Sequence, residues 1–175
     1  CHLEKRAKKL ERLMEILRPQ LTPDVEVLVE PDDGKLTIGA KRNMLVEKAK
    51  GDYVCFIDDD DLVPDYYVSE ILKAIETNPD CVGIDGVIVM QGKNQRKFIH
   101  SIKCSGWHFT GNVYYRTPNH LNPILKDKVL QIKFPDKGRS EDYQFSNAIR
   151  PLLTTEVKIE KQMYYYLYQT VHFLI

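Results

Sequence analysis

Apolar residues at Leu3, Ala7, Leu10, Met14 and Leu17 recur at steps of four and three, which predicts one face of an amphipathic helix. Pro19 stops it. Val25, Val27 and Val29 alternate with polar or outward positions and predict a short strand, broken by the turn chemistry of Pro31-Asp32-Asp33-Gly34. A second helix is expected from about Ile38 to Lys50, with Gly51 as its stop. Tyr53-Val54-Cys55-Phe56-Ile57 is an unbroken apolar run, the pattern of a strand buried on both faces in a helix-covered parallel sheet. A third helix follows Pro64, with Tyr67, Ile71, Leu72 and Ile75 inward, and ends near Asn78-Pro79. Cys81 to Met90 reads as a strand, and Gln91-Gly92-Lys93-Asn94 as a hairpin turn into a partner at Lys97 to Lys103. A helix from about Ser140 to Leu153 and a Tyr-rich strand with one packed face, through Tyr164, Tyr165, Tyr166 and Tyr168, follow.

The first 90 residues therefore alternate helix and strand, the α/β rhythm of a doubly wound sheet. With 175 residues there is room for one core, so a single domain over 1–175 is expected, with halves of about 1–90 and about 91–175. Twenty-five basic against 25 acidic residues give a formal charge of +0, which argues against a nucleic-acid binder. No apolar run reaches the roughly 18 residues of a membrane span. Cys1, Cys55, Cys81 and Cys104 form no C-x-x-C pair and read as reduced structural thiols, which suits a cytoplasmic setting. The charged N-terminus does not read as a signal peptide, and a chain opening on Cys1 suggests residues missing upstream.

Asp58-Asp59-Asp60-Asp61 stands at the end of the apolar run. Four adjacent carboxylates repel one another and call for a counter-ion. In an extended chain Asp58 and Asp60 would point to one side, Asp59 and Asp61 to the other. A hard cation, Mg²⁺ or Mn²⁺, shared between Asp60 and a substrate phosphate would relieve the repulsion. The place fits, because open α/β sheets bind ligands beyond their strand ends. The plainer alternative is a solvated acidic turn before a helix N-terminus.

Gly39-Ala40-Lys41-Arg42-Asn43, followed by Ala49 to Asp61 with its Gly-Asp-Tyr and its Asp-x-Asp, resembles the core of GT-A fold glycosyltransferases, above all the inverting family 2. Ser140-Glu141-Asp142-Tyr143 resembles that family's Glu-Asp motif opening a helix, and Pro118 to Pro123 a segment near the acceptor side. The resemblance implies a single Rossmann-like α/β domain with a mixed sheet, here without the usual first strand. It implies that Asp58 contacts the ribose, with Asp59 beside it, and that Asp60, with Asp58, holds a Mn²⁺ or Mg²⁺ bridging the donor diphosphate. Asp32 or Asp33 would meet the nucleotide base, and Arg42 the nucleotide or its phosphates. Asp142 would be the general base and Glu141 its support. His172, or else His120, would be a third metal ligand. Residue 140 departs from the family, which often has Gly there.

The implied activity is metal-dependent transfer of a sugar, with inversion, from a nucleotide-diphosphate donor such as a UDP-sugar to a carbohydrate or other hydroxyl acceptor. The metal would stabilise the leaving diphosphate, and a carboxylate would take the acceptor proton. Two other readings stand beside it. Phe56 to Leu62 also fits a haloacid-dehalogenase-type phosphohydrolase with Asp58 as nucleophile; a truncated domain could bind nucleotide-sugar without transfer. Asp142 also suits helix capping after Ser140, and Trp107, the single Trp, either stacks on a sugar or joins the core.

Overall fold

The computed structural model describes residues 3–31, 34–90 and 94–168, with the backbone alone at 3–5 and 94. Asp32, Asp33 and His172, and the hairpin turn at 91–93, lie outside the described residues. The elements run α1 (Leu3–Leu17), α2 (Ile38–Lys48), β1 (Tyr53–Val54), α3 (Tyr67–Ile75), β2 (Cys81–Met90), β3 (Asn94–His100), β4 (His108–Thr110), β5 (Val113–Arg116), β6 (Ile124–Leu125), α4 (Lys126–Ile132), α5 (Glu141–Ile149) and β7 (Glu156–Tyr168). Short 3₁₀ turns at Arg18–Gln20 and Arg150–Leu152 carry Pro19 and Pro151 in their first turns, where a missing N–H costs nothing.

The sheet is mixed, in the order β1-β6-β2-β3-β5-β4, with β7 also on β2. β2 and β3 form the expected antiparallel hairpin, Met90 facing Asn94, so β3 begins three residues earlier than the sequence suggested. β7 lies parallel to β2 from Cys81↔Glu156 to Met90↔Tyr168. β2 is therefore the strand buried on both faces, with residues 81–86 all buried. Side chains on a strand alternate, so Val82 and Ile84 join one cluster with Leu13, Leu17, Tyr67, Val68, Met163 and Tyr164, while Cys81 joins another with Val46, Ile124, Val129, Phe134, Phe145 and Ile149. α1 and α3 cover the first cluster; α2, α4 and α5 cover the second.

Two strand expectations give way. The run Tyr53–Ile57 is strand only at Tyr53–Val54, pairs antiparallel with β6, and is half-buried throughout. Residues 25–29 make no strand, and Val27, Leu28 and Val29 are exposed. The reason is a cavity of about 880 Å³ that both segments line, together with Leu10, Leu13 and Leu17 of α1 and Val68 and Ile71 of α3. An extended segment without a neighbour in pairing reach has no ladder to join. Instead 25–30 is tied to the end of α2, the Glu26 carboxylate accepting from the N–H groups of Lys50 and Gly51, and Glu30 pairing with Lys48.

α2 starts at Thr37, whose hydroxyl accepts from the Ala40 N–H. It ends at Lys48, with Ala49 extended, so Gly51 is not its left-handed stop. Gly39 is required for close approach: a Cβ there would lie 1.8 Å from the Pro135 carbonyl oxygen. Cys55, Cys81 and Cys104 are free thiols. Among the described residues, no helix is long and apolar enough to cross a membrane.

Candidate functional site

The acidic segment turns instead of running on as a strand. The Asp61 N–H donates to the Asp58 carbonyl at 2.9 Å, closing a tight turn at Asp59–Asp60. The alternating sides expected of an extended chain do not apply, and each aspartate meets a different partner. Asp58 accepts from Arg42 Nη2 at 3.3 Å, and His120 Nε2 is 3.6 Å from its other oxygen. Asp59 is paired with Arg6 of α1 and accepts from its Nε at 2.6 Å. Asp60 lies 3.4 Å from Lys9 Nζ. Asp61 is buried, accepting from the Tyr164 hydroxyl at 2.8 Å and the Leu167 N–H at 2.7 Å.

The charge repulsion that suggested a metal is thus met in large part by protein groups. Burial pushes the Asp61 carboxyl up to about 7, its two hydrogen bonds opposing the shift and the neighbouring Asp58 and Asp60 adding to it. Asp58 goes the other way: burial would raise it, but His120 and Arg42 outweigh that and hold it well below the carboxylate range. His120 is itself pushed below its usual value, chiefly by burial and then by Arg42, with Asp58 opposing the shift. Sequence reasoning missed Tyr164, which accepts from the Asp58 N–H at 3.1 Å while donating to Asp61. The signal available was its place in a strand with one packed face; which face could not be told without the pairing of Leu62 with Tyr165.

Arg42 joins this corner to α5. Its Nη1 donates to Glu141 Oε1 at 2.7 Å, and its guanidinium lies 5.6 and 5.5 Å from the ring centres of Phe56 and Phe134. Arg42 and Glu141 are both buried, so their pairing offsets desolvation that neither charge could bear alone. Asn43 exchanges two hydrogen bonds with the Phe134 backbone at 2.8 and 2.7 Å, locking α2 to the loop before α5. The Arg-Asn pair therefore divides its work, one side chain to the acids and one to the backbone.

Asp142 follows Glu141 and is half-buried. One oxygen accepts from the Tyr143 N–H at 2.8 Å, and the other has no hydrogen bond among the described residues. Both Arg116 and His120 feel its charge. Ser140 does not act as the N-cap expected from the sequence: it sits at φ 59°, ψ 14° and its side chain makes no capping bond. That left-handed backbone is the one glycine favours.

The Pro118–Pro123 segment is a buried loop that positions His120. Asn119 Oδ1 accepts from the Leu121 N–H, and Asn122 bonds the Asn119 N–H, His100 and the Val82 carbonyl. The His120 carbonyl accepts from the Phe56 N–H at 2.8 Å, fixing the loop to the chain that leads into Asp58. Trp107 donates to Ser146 at 3.0 Å and meets Tyr143 edge-on, so it belongs to the α5 side of the site.

For a metal, no group of three or more His, Cys, Asp or Glu side chains placed to hold one occurs among the described residues. Asp60 and Asp58 supply hard oxygen donors at one corner, a set that suits Mg²⁺ or Mn²⁺ only in company with substrate phosphate and water.

The family model described as Glycosyl transferase family 2 matches residues 6–137. That span includes the acidic corner and Arg42 but stops short of Glu141 and Asp142. No curated protein matches the chain in sequence. Among solved structures, the 1–349 fragment of S. aureus TarS in complex with UDP is similar at 19% identity and TM-score 0.61, over 91% of this chain and 48% of that one. The same fragment with UDP-GlcNAc gives 20% identity and TM-score 0.58, over 93% and 47%. The chain thus spans about half the length of the TarS fragment. At these identities the likeness establishes a shared fold.

Proposed function

The chain belongs to glycosyl transferase family 2, and from that membership we propose that it transfers a sugar from a uridine diphosphate donor to an acceptor hydroxyl with inversion. The observation that carries the proposal is the Asp58–Arg42–Glu141 connection, which ties the acidic corner to the residue before Asp142. This replaces the phosphohydrolase reading, since the matched family is a transferase family. The choice of UDP is supported by the TarS fragment, which was crystallised with UDP and with UDP-GlcNAc.

In this reading the donor lies with its diphosphate at Asp58 and Asp60 and its anomeric carbon toward α5. Asp142 accepts the proton of the acceptor hydroxyl as that oxygen forms its bond to the anomeric carbon. The bond from that carbon to the diphosphate oxygen breaks with it, and a single displacement inverts the centre. Arg42 pairs with both Asp58 and Glu141 and fixes their positions, so the site is organised before substrate arrives. Asp60, with Asp58, would hold Mn²⁺ or Mg²⁺, which when bound supplies positive charge to the departing diphosphate. The free thiols of Cys55, Cys81 and Cys104 among the described residues fit a reducing compartment such as the cytoplasm.

Calorimetry with UDP tests the donor site. Binding is expected to be saturable and at least tenfold tighter with Mn²⁺ than in chelator; no binding in either condition would sink the donor assignment, and equal binding would remove the metal from it.

A further inference from the structure

Arg116, at the end of β5, is more than half-buried and makes no side-chain hydrogen bond or ion pair among the described residues. Arg6 and Arg42 beside the acidic corner are paired with carboxylates, Arg6 with Asp59, and Arg42 with Asp58 and Glu141, while Arg12 donates to the Asp60 carbonyl. The Arg116 guanidinium instead lies over aromatic rings, its central carbon 4.4 Å from the ring centre of Trp107 and 5.8 Å from that of Tyr114. Trp107 is in turn pinned to α5, through Ser146 and against Tyr143. The cation is thus mounted beside the first turn of α5, within electrostatic reach of Asp142 and Tyr166.

A cation–π contact contributes about 0.5–2 kcal/mol. Withdrawing a guanidinium from water without a counter-charge costs several kcal/mol, so stacking alone leaves the group short of partners. A ring contact also does not satisfy the five N–H donors, which lie in the guanidinium plane in the geometry that grips a phosphate or carboxylate in pairs. In the proposed function the donor phosphates lie at Asp58 and Asp60. An oxyanion held by Arg116 would lie on the α5 side of the site, the side that carries Asp142 and where the acceptor hydroxyl must be to lose its proton.

We propose that Arg116, backed by Trp107, is an acceptor subsite that binds an oxyanion, a phosphate or carboxylate carried close to the hydroxyl that receives the sugar. This rests on the glycosyltransferase reading for the word acceptor; the oxyanion site itself does not. Selectivity follows, because a neutral hydroxyl compound would leave the guanidinium unpaired and the base beside it unaligned.

Trp107 is the single Trp of the chain and touches the proposed site, so its fluorescence reports on it. The wild-type protein is titrated with inorganic phosphate and, in parallel, with sodium acetate, at ionic strength held constant with KCl, each with and without saturating UDP. A saturable change in Trp107 emission is expected with phosphate, acetate or both, showing which group is preferred, and with the same midpoint when UDP is present. Arg116→Gln is expected to weaken the response at least tenfold while leaving UDP binding in place. Arg116→Lys, which keeps the charge and loses the fork, is expected to fall between. A response no different from that of KCl, or one untouched in Arg116→Gln, overturns the site. Displacement of the oxyanion by UDP would assign Arg116 to the donor diphosphate and overturn the acceptor role. Should Arg116→Gln fail to fold, the wild-type titration and Arg116→Lys decide the matter. A wild-type protein that binds phosphate at Arg116 but never UDP would bring down the proposed function and not this site.

Discussion

Asp142 carries the sharpest chemical expectation. One of its oxygens is held by the Tyr143 N–H and the other has no hydrogen bond among the described residues, as a base needs. Asp142→Asn keeps the shape and the backbone bond but cannot take a proton, so transfer should fall at least 10³-fold while the Kd for UDP stays within twofold. Product assay and calorimetry on the same preparation check both, and persistent transfer would move the base elsewhere. Ser140 gives a stability test in the opposite sense. Its backbone is left-handed and its hydroxyl caps nothing, so Ser140→Gly should stabilise the fold by about 1 kcal/mol, read as a rise in urea midpoint with unchanged slope. The roles of Asp61 and Tyr164 were not visible, because a run of four aspartates gives no sign of which one turns inward.

Among the elements, the parallel pair β2–β7 holds the two ends of the site together. Its start is fastened by Asp80, whose carboxylate accepts from the Thr154 N–H and hydroxyl and the Thr155 N–H and pairs with Lys128 at 3.0 Å. Burial alone would raise this carboxyl, but those donors outweigh it and hold it below its usual range. A depressed folded pKa contributes stability above the unfolded value of 3.8 and loses it as pH falls below that. Asp80→Ala should therefore cost about 2 kcal/mol at pH 7, since it removes a charged acceptor shared by several part-buried donors. The gap between variant and wild type should narrow at pH 3; urea unfolding at the two pH values measures it, and a constant gap would mean the fastening is not ionic. Element positions were largely legible: α1 runs Leu3–Leu17 as its periodicity indicated, and the β2–β3 hairpin follows from two β-rich runs around a Gly. The reading failed where it treated an apolar run as proof of two-sided burial. Tyr53–Ile57 is the more apolar run, yet only Cys81–Gly86, which contains Asp85, has neighbours on both faces.

For the molecule as a whole, the cavity between residues 25–29 and 53–57 is the feature with most consequence. Its lining is largely aliphatic and aromatic, including Leu10, Leu13, Val54, Phe56 and Ile71. The 175-residue chain should therefore bind the dye ANS in native buffer, with emission that drops as urea unfolds the protein. A dark native state would show that the lining had collapsed. The same cavity explains why β1 ends at Val54 and why Val27, Leu28 and Val29 stay exposed. Hydrophobic periodicity reports which side of a segment prefers to be buried, and cannot report whether another segment stands there to bury it.

Local patterns along the chain were enough to place most helices, the acidic turn after an apolar run, the Arg42-Asn43 pair and the Glu141-Asp142 helix start, because each is set by residues close together in sequence. The mixed sheet, the choice of β2 as its buried centre, the bridge from Arg42 across to Glu141 and the stacking of Arg116 on Trp107 came from the folded chain alone. These depend on contacts between residues tens of positions apart, whose partners are fixed by the packing of the whole core and not by any local preference.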